Sequence, residues 1–191
     1  MTDQTDDLTK RLYTALRQRD DAALDAALAA GADVHAVLND RPMVHHATIL
    51  GMATSLRRMI AAGGDVNVRG ENGTTPLMIA ISMASAAHPE FFENALENAQ
   101  VLLDAGATID TPTTWGATPL HVAANAGNTT AVRWLIERGH PLDGQTSDGT
   151  TALATALRAK SEEREPRDKN PHVHRYDEVR ALLRWTGAGA G

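Results

Sequence analysis

The sequence predicts an all-α fold, a solenoid of about five helix-turn-helix repeats with short hairpin or turn connections. Three observations carry this. A phrase recurs along the chain: Gly73-Thr74-Thr75-Pro76-Leu77, Gly116-Ala117-Thr118-Pro119-Leu120-His121 and Gly149-Thr150-Thr151-Ala152-Leu153, with a worn copy through Pro42-Met43-Val44-His45. Its threonine positions, Pro42, Thr75, Thr118 and Thr151, are 33, 43 and 33 residues apart. A second phrase, Gly31-Ala32-Asp33, Gly63-Gly64-Asp65, Gly106-Ala107-Thr108 and Gly139-His140-Pro141, runs at 32, 43 and 33. Both lengthen together in one repeat, so that repeat carries an insertion of ten residues and the frame is kept. A fixed period near 33 residues implies units that bury their apolar faces only by packing on neighbours.

The repeats fall at about 7–38, 39–70, 71–113, 114–146 and 147–187 of one domain. An acidic N-terminus (1–6) is expected to be disordered, and the tail (188–191) is expected to be flexible. In the first repeat Leu8, Leu12, Leu16 and then Leu24, Ala27 and Leu28 recur at helical spacing. Asp20 and Asp21 supply an N-cap for the second helix, and Gly31 ends it. The second repeat buries Leu56, Met59 and Ile60, and its connection is one residue short. In the third, the insertion lies within 82–93, and Pro89 opens a new helical turn. The fourth turns Val132, Leu135 and Ile136 inward. In the fifth, an outer helix over 175–185 turns Val179, Leu182 and Leu183 inward, after an insertion of about fourteen residues. Thr75 and Thr118 are placed to cap helices that Pro76 and Pro119 start.

These phrases resemble the ankyrin-repeat family, whose Thr-Pro-Leu-His-x-Ala signature the Thr118 repeat reproduces. The likeness runs from about Asp7 to Gly187, and the end repeats depart most, as capping units do. In that family the signature histidine ties neighbouring repeats by hydrogen bonds. His45 and His121 match that position, whereas Met78 and Ala154 depart from it. The resemblance also implies a groove of hairpin tips and inner-helix faces that binds another protein.

Composition narrows the function. With a net charge of −6 the chain is a poor match for nucleic acid or an anionic membrane. There is no apolar span and no signal-peptide core, so a cytoplasmic protein is expected, and a monomer with it. The absence of cysteine excludes disulfides and thiol catalysis and is neutral on compartment. No nucleophile elbow, phosphate loop or dinucleotide fingerprint occurs, and neither an enzyme activity nor a cofactor is expected. His45-His46 does not suit one metal ion, because adjacent helical residues point in different directions. His172-Val173-His174, read as extended, could place two rings on one side and is the alternative metal or small-molecule site. The surrounding charges read more simply as a solvated loop.

The partner-binding residues implied by the family groove are Arg41, Ile49, Leu50, Arg69, Glu71, Asn72, Met83, Trp115, Asn125, Ser147, Asp148 and Arg158. Trp115 is their centre, because aromatic residues anchor interfaces. The competing role for Trp115 is folding back on Pro112 or a neighbouring hairpin. For Ile49 and Leu50 it is burial against the first repeat. Phe91 and Phe92, the only phenylalanines, form a secondary surface or a local mini-core in the first insertion. The expected function is non-enzymatic protein binding by an adaptor, inhibitor or immunity-type protein. A chiefly structural module is a further alternative.

Overall fold

The computed structural model describes residues 2–50, 52–84, 89–162 and 173–187. Among them are ten α-helices in five consecutive pairs, an all-α repeat fold as the period requires. The chain divides into two compact units, Met1–Ala80 with Asn94–Thr108, and Ile81–Glu93 with Ile109–Gly191. The division runs through the third repeat, the one that carries the first insertion.

The first unit opens with α1 (Thr2–Gln18) and α2 (Asp21–Ala29). The α1 helix already begins at Thr2, so the acidic stretch set outside the repeats continues the first helix instead. Asp20 caps α2, its carboxylate accepting from Ala23 N–H at 2.9 Å. Leu12, Leu16 and Leu24 are fully buried where α1 packs on α2 and α3. Each such leucine stabilises the fold by about 1.5–3 kcal/mol. A short hairpin, β1 (Val37–Leu38) and β2 (Arg41–Pro42), leads into α3 (Met43–Leu50) and α4 (Ala53–Ala61). Leu56 and Met59 are buried as expected, and Ile60 is half-buried. A 3₁₀ turn (Glu71–Gly73) precedes α5 (Pro76–Met83), where the Thr75 hydroxyl accepts from Met78 N–H at 3.3 Å.

Helix α6 spans Pro89–Asp104, 16 residues against 9 in α4. The first insertion therefore goes largely into helix: Pro89 does start it, but no break separates it from the outer helix. Ala99 and Leu102 are fully buried along it. Phe91 and Phe92 lie on α6, and their side chains fall outside the described residues.

The second unit contains α7 (Pro119–Asn125), α8 (Thr129–Glu137), α9 (Ala152–Glu162) and α10 (Val173–Gly187). Helix α7 packs on α8 and α9, and α10 packs on α8 and α9. Val132, Leu135 and Val179 are fully buried, whereas Ile136 and Leu182 are half-buried. Asn128 caps α8 through its Oδ1, which accepts from Ala131 N–H at 2.9 Å, and its amide donates to the carbonyl of Ala84. The α10 helix starts two residues before the expected boundary. Tyr176, Val179 and Leu183 form its buried stripe, and Tyr176 donates from its hydroxyl to Asn125 O at 2.9 Å.

Candidate functional site

The site is assembled inside the second unit by one histidine and two adjoining hairpins. His121 sits at the third position of α7, nearly fully buried. Its Nδ1 faces the Thr118 N–H at 3.2 Å and the Thr118 hydroxyl at 2.9 Å. A backbone N–H can only donate, so Nδ1 is the acceptor and the proton is on Nε2. Nε2–H then donates to Thr150 O in the next hairpin at 3.0 Å. This arrangement suits only the neutral ring, and burial lowers the His121 pKa from its ordinary 6.5 against the opposing pull of the Thr150 carbonyl.

The two hairpins share one bonding scheme. Thr113 N–H donates to Ala117 O at 2.8 Å, and Thr146 N–H donates to Thr150 O at 3.0 Å. They are joined where Ser147 N–H donates to Trp115 O at 2.8 Å. Gly116, with φ of 83°, makes this approach possible: a Cβ there would lie 3.0 Å from Gln145 O and Thr146 Cα. Trp115 is thus held by its backbone while 47% of the residue stays exposed. The Asp148 carboxylate accepts on Oδ1 from the Thr146 hydroxyl and from Thr150 N–H at 3.2 Å. These bonds, from Thr146 first and then Thr150, lower its pKa from 3.8 to about 2, so it is anionic at neutral pH.

Together α7, α9 and the hairpins bound a groove of about 510 Å³. Trp115, Asn125, Ser147, Asp148 and Arg158 line it, alongside Ser82, Val122, Ala126, Thr146 and Thr155. Five of the twelve sequence-selected residues therefore meet in one place. Trp115 does not fold away into a buried position. Met83 is half-buried beside Ser82, and Ser82 is the one that lines the groove. Val122 and Thr155 were not singled out from sequence. The signal was available: they lie three residues before Asn125 and Arg158, on the same helix face.

The remaining selected residues belong to the first unit. Arg41, Arg69, Glu71 and Asn72 are exposed at hairpin tips, and Ile49 and Leu50 are half-buried at the end of α3. Here the second signature histidine repeats the tie in a different form. His45 Nε2 meets Val68 O at 3.2 Å, six residues short of the carbonyl position that His121 uses. The ring consequently occupies the space over Gly70, where an added Cβ would lie 2.5 Å from His45 Cε1. Gly70→Ala should destabilise the protein by about 1–3 kcal/mol through this overpacking, read as a fall in the denaturant midpoint. An unchanged midpoint would mean that the ring moves aside freely. His46 contacts Tyr13 edge-on at 4.8 Å and bonds Leu38 O at 2.9 Å, so the adjacent histidines serve separate contacts.

The His-x-His run takes a different form from the one expected. Val173 and His174 are in α10, so the segment is not extended there, while His172 lies outside the described residues. The buried Tyr176–Val179–Leu183 stripe draws the helix upstream. Among the described residues no group of three histidine, cysteine or carboxylate side chains is placed to hold a metal ion. No helix there is long and apolar enough to cross a membrane.

Comparison with known proteins agrees with the geometry. A family model described as Ankyrin repeats (3 copies) matches residues 83–164. Ankyrin repeat and SOCS box protein 16 of Homo sapiens is 35% identical over 127 residues, 66% of this chain and 26% of that protein. Neurogenic locus notch homolog protein 4 of Homo sapiens is 35% identical over 103 residues, 52% of this chain and 5% of the relative. Palmitoyltransferase ZDHHC13 of Mus musculus is 33% identical over 96 residues, 50% of this chain and 14% of the relative. The chain spans about a quarter or less of the length of these relatives. Residues 83–164 are thus ankyrin repeats, and the relatives support the same family for the chain. Ankyrin repeats are in general protein–protein interaction modules and are typically non-enzymatic.

Proposed function

We propose that this chain is a cytoplasmic, monomeric, non-enzymatic binding protein, an adaptor, inhibitor or immunity-type protein. It engages a protein partner through the groove between α7, α9 and their hairpins. The observation that supports this reading is Trp115, exposed beside the groove on a backbone that bonds to Ser147. A tryptophan held rigid before binding loses little entropy on contact, which is why such residues dominate interface energetics. The groove walls are preformed as well, through His121 and its bond to Thr150.

Affinity capture from the native cell lysate, wild type beside Trp115→Ala, tests the proposal. A specific protein should be retained by wild type and lost with the folded variant. The purified pair should then show a Kd weakened about 10-fold or more. Cellular associations identical for both proteins would leave the groove idle and favour a chiefly structural module.

A further inference from the structure

The hairpin end of the groove has a one-sided charge pattern. From Ile109 to Val132 and from Gly139 to Leu157 the sequence contains no lysine or arginine, while Asp110, Asp143 and Asp148 fall within these stretches. Asp148 lines the groove together with Trp115, and the Ser147 N–H to Trp115 O bond makes the two residues close neighbours. Asp148 Oδ1 is taken up by Thr146 and Thr150, which ties the carboxylate to the hairpin. Arg158, on α9, supplies positive charge to the groove from its helix side.

An exposed indole face attracts cations through its quadrupole, and a nearby carboxylate adds to that attraction. An arginine or lysine side chain satisfies both groups at once, with its apolar stem along the ring and its charge toward the carboxylate. An acidic or purely apolar segment would place its charge against Asp148 or leave that carboxylate desolvated without a partner.

We propose that the hairpin end of this groove receives an arginine- or lysine-bearing segment of the protein partner, with the cation on Trp115 beside the Asp148 carboxylate. This rests on the protein-binding reading above and names the chemistry that the groove selects. The anionic state of Asp148 near neutral pH supports it, since the carboxylate stays charged down to about pH 2.

The test is a selection of phage-displayed random dodecapeptides on the full chain, with Trp115→Ala and Asp148→Asn in parallel. The asparagine side chain would keep the oxygen that accepts from Thr146 and Thr150, so the hairpin is retained while the charge is removed. Thermal melts of each variant confirm that it is folded. Peptides selected on the wild type should be enriched in arginine and lysine over the starting library. Their binding should weaken about 5- to 30-fold with Trp115→Ala and about 3- to 10-fold with Asp148→Asn, and it should weaken with added salt. Peptides that depend on Trp115 but show no basic enrichment and ignore Asp148→Asn would overturn this inference and leave the groove reading standing. Peptides indifferent to Trp115→Ala, or no selection above an unrelated repeat protein, would overturn both.

Discussion

His121→Ala is expected to lower stability by about 2–4 kcal/mol. The substitution leaves the buried Thr118 N–H without its ring acceptor, while Thr150 O loses the ring bond and keeps the Thr146 N–H at 3.0 Å. The orphaned N–H costs roughly 1–3 kcal/mol, and the vacated ring volume adds a cavity term. The hairpin that ends at Thr150 also carries Asp148, so the groove should lose its shape before the unit unfolds. Denaturant unfolding gives the stability, and a Trp115-dependent binding assay gives the groove. A loss below about 1 kcal/mol would show that water replaces the ring at both partners. His121→Gln should recover only part, since one amide cannot serve Nδ1 and Nε2 positions together.

Stability is also expected to fall as pH drops below about 6.5. Four buried histidines, His45, His46, His121 and His140, have pKa values lowered from the ordinary 6.5, in each case chiefly by burial. Their carbonyl partners Val68, Leu38, Thr150 and Pro141 pull the other way without winning. The native state therefore holds fewer protons than the unfolded chain at mildly acid pH. The stabilising contribution is complete above 6.5, starts to be lost as the unfolded chain protonates, and is gone once the pH has fallen through the lowered native values. Each group adds at most about 1.4 kcal/mol per pH unit of slope, and all four act in the same direction. Asp148 does not interfere, because its own loss begins below 3.8. Melts at pH 7.5 and pH 5.5 should give a lower Tm at the acid pH, and an equal or higher Tm there would refute the account. His140 is the informative variant. Its Nδ1 bonds Pro141 O at 2.6 Å, and its buried Nε2 has no hydrogen-bond partner among the described residues. His140→Ala, which restores the small residue found at Ala32 and Ala107, should make the acid loss shallower.

The helix pairs were legible because their causes are local. A proline after a threonine favours a helix start wherever it occurs, and leucines at helical spacing need a buried face whatever their neighbour is. Trp115, Asn125, Ser147, Asp148 and Arg158 could be selected by position within the repeat for the same reason. The two insertions were less legible. Sequence located both and suggested a helical start at Pro89, but whether the first would form a loop or lengthen a helix depended on packing. Ala95 on α6 and Tyr176 on α10 continue the buried stripes upstream of Ala99 and Val179. His140 was read only as part of a phrase, and its buried, unpartnered nitrogen depends on contacts that no spacing encodes.

Spacing and residue type alone set the repeat period, the helix pairs, the histidine positions and the side chains at the hairpin tips. Each follows from backbone chemistry or from periodicity within about 33 residues. Packing in three dimensions settled the rest: that Ser147 bonds Trp115, that His45 reaches Val68 whereas His121 reaches Thr150, and that one groove gathers Trp115 with Asp148. Those pairings join residues separated by 23 to 33 positions, and their geometry is set by the close packing of whole helices and hairpins.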